Sequence, residues 1–524
     1  MESSRRMSFR TLRHTAAVIA SLLVAAGCST GSGPRGSAAE AHPAPGTSST
    51  PPVTASASVP TESSVVKPNI VFVLTDDFSM NLVQYMPNVR RLQQEGTTFT
   101  NYTVTDSLCC PSRASILKGQ FPHNTGIIKN HGSDGGFLLF NSRGQEKTTI
   151  GTDLQAAGYR TAFLGKYLNE YQPRLTMGTG KPYVPPGWDQ WWVSGDAYKN
   201  FDYLINDNGR VVRYGKQPKD YLTDVMTAKA TGFIKAGAAS GKPFMIELST
   251  YAPHLPFTPA PRDATLFPGL TAPRTPAWDR VPENSAWLAA KPRLTPAQIA
   301  AIDRYHRLRA QSVQSVDRMV GTVRDTLVKA GIADQTMVVF TSDNGYHMGE
   351  YSLPAGKQTA FDTDVNVPLI VAGPGVQAGR EVPHIVENID FRPTFSEWAG
   401  APAPTESDGR SFVPLLSGAL PADWRTAALV EHHDPASDPK DPDYEKDSIN
   451  VPPSYDALRS ETFTYIEYVD GKAEYFDRVA DPYMLKNVVG TLTPERLAEL
   501  RGALRGLATC VGPDACWTAG RALR

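Results

Sequence analysis

The densest chemistry in the sequence lies in Leu108-Cys109-Cys110-Pro111-Ser112-Arg113-Ala114-Ser115-Ile116-Leu117. Proline suits the first turn of a helix, where its missing N–H is no loss. The spacing predicts a helix continuing through Ser112 to Leu117, with Cys109 just before its N-terminus. Free N–H groups and the positive end of the helix dipole favour an anion there. Arg113 adds a planar fork suited to a tetrahedral oxyanion. The stretch reads as a cradle for an anionic group with a cysteine at its mouth. On residue type alone, Cys109 is equally a buried packing residue, a disulfide partner or a thiolate nucleophile. Periodicity does not separate these.

Other reactive side chains follow short apolar runs. Asn69-Ile70-Val71-Phe72-Val73-Leu74 stops at Thr75-Asp76-Asp77. Thr161 to Leu164 leads into Gly165-Lys166, and Phe244 to Leu248 into Ala252-Pro253-His254. Thr336 to Phe340 leads into Ser342-Asp343-Asn344, and Val367 to Val371 into Gly373. Continuous apolar runs of this length are the pattern of buried parallel strands. Leu222, Val225, Met226, Phe233 and Ile234 suit one helix face, and Val313, Val316, Val320, Val323 and Leu327 another. Alternating strands and helices predict an α/β fold with a large, mostly parallel central sheet flanked by helices. Ligands bind outside the carboxyl ends of such strands, where these polar residues fall. Asp76, Asp77, Asp343 and Asn344 supply four oxygen side chains, which suit a hard cation, Ca2+ before Mg2+.

Cys109-x-Pro111-Ser112-Arg113, with Leu117 and Gly119 downstream, resembles the signature of the type I, formylglycine-dependent sulfatases. Lys118 stands where that family has Thr or Ser. The likeness covers about Asn69 to Gly400 and extends to Tyr159–Tyr171, Pro185-Pro186-Gly187-Trp188 and Gly345–Tyr351. These segments are most similar to N-acetylglucosamine-6-sulfatases and extracellular heparan 6-O-endosulfatases. The resemblance implies an alkaline-phosphatase-like sandwich and oxidation of Cys109 to formylglycine by a formylglycine-generating enzyme. It implies metal binding by Asp76, Asp77, Asp343, Asn344 and the modified Cys109. Arg113, Lys166, His254 and Lys357 match its sulfate-binding and acid positions. Leu168 stands where many members have histidine, so Asn169 is expected to take part of that role, and His347 to line the substrate pocket. The implied reaction is hydrolysis of a sulfate monoester, on a sulfated carbohydrate or an aryl sulfate. The rivals are a phosphodiesterase or phosphonate hydrolase of the same superfold, and a silent surface binding protein.

The chain has 524 residues and a net charge of -1, which makes no case for a nucleic-acid partner. Arg5, Arg6, Arg10 and Arg13 precede an apolar run, Ala16 to Ala26, too short for a spanning helix. The segment 1–28 ends in Ala25-Ala26-Gly27-Cys28 and looks like a bacterial lipoprotein signal with Cys28 acylated. Residues 29–67, rich in Ser, Thr, Pro, Ala and Gly, read as a disordered tether. The expected product is an exported protein, lipid-anchored at the outer face of the bacterial membrane. Cys510 and Cys516 are expected to form a local disulfide, and Cys110 to pack. A catalytic domain is placed at 68–416 and a C-terminal subdomain at 417–524. The latter is read as a smaller antiparallel sheet with a hairpin at Asp470-Gly471 and a helix after Pro494.

Overall fold

The computed structural model describes residues 67–433, 439, 441 and 443–523. The leader, the tether and Cys28 lie outside them. Residues Ser64–Arg524 form one compact unit. No helix among the described residues is long and apolar enough to cross a membrane.

The main sheet has ten strands: β1 (Asn69–Thr75), β2 (Thr97–Phe99), β3 (Arg160–Lys166), β4 (Gln190–Gly195), β5 (Tyr203–Asp207), β6 (Arg210–Tyr214), β7 (Phe244–Ser249), β8 (Thr336–Ser342), β9 (Ile370–Ala372) and β10 (Arg380–Val382). Their spatial order is β10-β2-β9-β8-β1-β7-β3-β4-β5-β6. The central strands β8, β1, β7, β3 and β4 run parallel. Helices cover both faces, which is why β1 is buried along its whole length. Ile70, Phe72 and Leu74 join one apolar core, and Val71 and Val73 the other. The second core is closed by α2 (Leu222–Ser240) and α3 (Pro296–Lys329), the first by α1 (Cys109–Lys118) and α4 (Phe391–Trp398). One strand departs from the expected topology. β9 is antiparallel to β8, so Gly373 leaves the sheet at the edge opposite the polar strand ends.

Beyond Leu416, β11 (Ala428–His432), β12 (Tyr455–Arg459), β13 (Phe463–Tyr468) and β14 (Ala473–Asp477) form an antiparallel sheet. Helix α5 (Pro494–Ala508) packs on it. Cys510 and Cys516 are joined there by a disulfide. Asp362 ties this sheet to the loops of the main one, bonding Arg459 Nε at 2.8 Å and Arg478 Nη2 at 2.6 Å. Burial alone would raise its pKa; the two guanidinium groups outweigh that and lower it. The stability this linkage contributes is therefore present above the unfolded carboxylate pKa of about 3.9 and lost as pH falls below it. Asp362→Asn leaves Arg459 buried without its counter-charge and is expected to cost about 3 kcal/mol. Urea midpoints at neutral pH and near pH 3 measure this: the difference between wild type and variant shrinks at the lower pH.

Candidate active site

Helix α1 starts at Cys109, two residues before its proline, so Cys109 lies inside the first turn and not just before it. No side chain of Leu108, the residue preceding the helix, caps it. The Cys110 N–H donates instead to Asn130 Oδ1 at 3.0 Å, satisfying one of the orphan donors of the helix start. All ten residues of α1 are buried. The helix ends at Gly119, whose φ of 67° is left-handed and whose missing Cβ leaves room for Ser407 Oγ. Lys118 points away from the site and donates to Thr148 O at 2.7 Å. A lysine there suits the negative end of the helix dipole and leaves the cysteine end of the helix unaltered.

The carboxyl ends of β1, β8, β3 and β7 converge on Cys109. Cys109 Sγ lies 3.3 Å from Asp76 Oδ1 and 2.9 Å from Lys357 Nζ. Lys166 Nζ, at the end of β3, donates to Asp76 Oδ2 at 2.7 Å. Lys357 Nζ donates to Asp77 Oδ1 at 2.6 Å. His254 Nε2 is 3.6 Å from Asp77 Oδ2, and its Nδ1 faces Leu255 O at 2.8 Å. Arg113 Nε bonds Asp343 Oδ2 at 2.7 Å, and its Nη1 bonds Lys166 O at 3.0 Å and Ser249 Oγ at 2.5 Å. The remaining Arg113 Nη2 is buried with no hydrogen-bond partner, 3.9 Å from Asp76 Oδ1.

Asp76, Asp77, Cys109 and His254 each offer a ligand atom, all within 4.8 Å of one another. Asp77 Oδ2 and Asn344 Oδ1 are buried and lack hydrogen-bond partners, a state that costs free energy unless a cation or donor faces them. Asn344 Nδ2 donates to Asp77 Oδ1 at 2.7 Å, which turns its Oδ1 away from that carboxylate. Asp343 Oδ1 accepts from the Asp77 N–H at 3.2 Å and the Asn344 N–H at 2.8 Å. This mostly oxygen donor set fits a hard divalent cation. Asp77 adopts φ 59°, a strained setting for a non-glycine residue, and Arg309 Nη2 fixes its carbonyl at 2.7 Å.

Cys109 lies between a carboxylate and an ammonium group. Burial and the Asp76 carboxylate push its thiol well up, beyond what Lys166 and Lys357 offset. Cys110, also buried, is pushed up to about 12 and belongs to the apolar core. Burial would lower the His254, Lys166 and Lys357 pKa values, but the surrounding carboxylates outweigh it and all three are raised. All three face carboxylates beside the cysteine.

Sequence reasoning missed Asp443, which reaches the site from beyond β11. Its carboxylate accepts from Asn130 Nδ2 at 2.8 Å, Lys357 Nζ at 3.0 Å and His254 Nε2 at 3.2 Å, and lies 3.7 Å from Cys109 Sγ. Burial would raise its pKa, but Lys357 and His254 hold it well below the usual range. No spacing rule marked it, nor Arg309 or Ser249. Of the two expected substrate contacts, His347 donates through Nδ1 to the Asp364 carboxylate at 3.0 Å. With Lys357 and Tyr346 it lines a pocket of about 150 Å³. Asn169 lines a second pocket of about 300 Å³ on the Lys166 side. The aromatics after β3 are mostly core: Trp191 is fully buried with its Nε1 on Tyr171 Oη, and Tyr167 and Tyr171 are buried with it. Tyr198, half-buried between Lys166 and His254, lines the second pocket with Tyr171 and Tyr251.

Residues 68–401 match the family described as Sulfatase. The chain belongs to that family. Residues 349–507 also match the C-terminal family of N-sulphoglucosamine sulphohydrolase. A goat (Capra hircus) N-acetylglucosamine-6-sulfatase is 34% identical over 474 residues, covering 85% of this chain and 84% of the relative. A solved structure described as a complex with its substrate D-glucosamine-2-N,6-O-disulfate aligns with a TM-score of 0.66 at 25% identity, covering 84% of this chain and 97% of that one. The phosphonate monoester hydrolase of Silicibacter pomeroyi shares the fold, with a TM-score of 0.64 at 23% identity, covering 83% of this chain and 93% of that one. This sulfatase is a sulfuric ester hydrolase, built on a mostly parallel sheet with a small C-terminal antiparallel sheet.

Proposed function

We propose that this sulfatase removes a 6-O-sulfate from N-acetylglucosamine or a similar hexosamine, using formylglycine made from Cys109 and a bound Ca2+. The observation that carries the reading is the ring of Arg113, Lys166, His254 and Lys357 around Cys109, within a chain 34% identical to a protein named for that activity. Asp76, Asp77, Asp343 and Asn344 would hold the metal, which supplies Lewis-acid stabilisation of the sulfuryl oxygens. Formylglycine at position 109 would supply, as its hydrate, two hydroxyls on one carbon, the chemistry for displacing the alcohol from sulfur and then releasing sulfate. Arg113 Nη2, free of other partners, and the Lys166 and Lys357 ammonium groups neutralise charge on the sulfuryl oxygens. His254 Nε2, or Lys357, donates the proton to the leaving oxygen. Asp343 orients Arg113 through the 2.7 Å bond to its Nε. The Asp443 carboxylate now accepts from Lys357 and His254, and a sulfate must displace it from those donors.

The deciding comparison is kcat/KM for N-acetylglucosamine-6-sulfate, 4-O-sulfated galactosamine and an aryl sulfate. The 6-sulfate is expected to lead. A competitor preferred by more than about tenfold, or 1.4 kcal/mol, removes the subfamily reading. The shared fold with a phosphonate hydrolase adds a second comparison: a sulfate and a phosphate ester of one leaving group, with the sulfate expected to turn over faster. We also place the mature protein at the outer face of a membrane through a lipid on Cys28, on the strength of the basic head, the short apolar run and the Ala-Gly-Cys end. Cys28→Ser is expected to release the protein or block its processing. Wild-type protein recovered soluble and unacylated would refute the anchor.

A further inference from the structure

The pocket beyond Lys166 holds polar groups that the reaction does not use. Asn169 is 6% exposed, lines the pocket, and has no hydrogen-bond partner at either side-chain amide atom. Glu170 stands beside it in a left-handed backbone setting, φ 71°, with Oε1 on the Gly132 N–H at 3.0 Å and Oε2 buried and unpartnered. Room for that carboxylate exists because residue 136 is glycine: a Cβ there would sit 2.2 Å from Oε2. Asp441 and Asp196 complete three carboxylates around the space. His131 lies 3.8 Å from Glu170 and 3.5 Å from Asp441, and those carboxylates raise its pKa against the effect of burial. Lys166 is already paired with Asp76. The lining thus sets three carboxylates against His131 and Lys166, and Lys166 is held to Asp76 at its far end.

We infer that this pocket takes the neutral part of the sugar bearing the scissile sulfate, and that Glu170, Asp441 and Asp196 select against a second anionic substituent on that ring. Asn169 offers a donor and an acceptor suited to hydroxyls or an acetamide. A second sulfate would be placed among carboxylates in a half-enclosed space, where like charges repel more strongly than in water. The inference rests on the sugar-sulfatase reading above and names the substituent that the site rejects.

The test uses the matured enzyme and two substrates, N-acetylglucosamine-6-sulfate and glucosamine-2-N,6-O-disulfate. Wild type is expected to favour the first in kcat/KM by about tenfold at low salt. The preference should shrink in about 1 M salt, where the Debye length is about 3 Å. Glu170→Gln keeps the side-chain shape and should narrow it by severalfold, chiefly through KM for the disulfate; Asp196→Asn provides a second, more exposed variant. Equal or better use of the disulfate by wild type overturns the inference. So does a preference unchanged in both variants. Loss of all sugar turnover in wild type, with an aryl sulfate still cleaved, would instead overturn the sugar reading and this inference with it.

Discussion

Asp77→Ala is expected to abolish turnover of any sulfate ester, by a factor on the order of 10³ or more, while the protein stays folded. Asp77 lies just past the end of β1, and its carboxylate bonds Lys357 and Asn344 while one oxygen stays unpartnered. Removing it takes away a proposed metal oxygen and the group that holds Lys357 beside Cys109. The apolar cores on either side of β1 do not include it, so no core cavity opens. Asp343→Ala should do the same by another route, since Asp343 orients Arg113 and fixes the Asp77 and Asn344 N–H groups. Metal content by elemental analysis, far-ultraviolet circular dichroism and aryl sulfate turnover give the three readouts. Unchanged turnover with stoichiometric metal in either variant refutes the assignment.

The second large effect concerns Cys109 itself. Peptide mass spectrometry of protein produced with a competent maturing enzyme is expected to find an aldehyde at Cys109 and a thiol at Cys110. The geometry separates the two neighbours. Cys109 Sγ faces Asp76 and Lys357 in the site, whereas Cys110 packs in the apolar core. Cys109→Ala should remove activity entirely, with a fall of several orders of magnitude, because no other side chain in the cradle offers a nucleophile that can release its own ester. Cys110→Ala should cost stability, about 1 kcal/mol for a small buried side chain, and leave the chemistry in place. A free thiol at Cys109 in fully active protein would sink the formylglycine mechanism.

Much of this site was legible because its chemistry sits at the ends of locally recognisable elements. An apolar run such as Ile70 to Leu74 can only be a strand covered on both faces, and a parallel strand delivers whatever follows it to one edge of the sheet. Asp76, Lys166 and Asp343 therefore had to converge once their strands were identified. Pro111 likewise marked the first turn of α1, two residues past its start. The antiparallel run of β9 was not legible, because a short apolar strand carries no mark of its direction.

What tertiary structure alone decided lies at long sequence separation or depends on packing. Asp443 meets Cys109 across 334 residues, and Arg309 reaches the Asp77 carbonyl from the middle of α3. Neither sits in a local pattern, since a surface-type residue is recruited only when another element folds over it. The tyrosines and tryptophans after β3 carry no local mark of whether they face solvent or core. Their burial shows that the sheet edge needed them more as core, because a large ring removes more apolar area from water inside than at a pocket rim. The sequence by itself placed Cys109 at the start of a helix, and the carboxylate pairs and Lys166 at strand ends. The tertiary structure decided which of their atoms remain unpartnered, where Asp443 enters, and that the space beyond Lys166 is lined with carboxylates, because each depends on which distant side chains share a cavity.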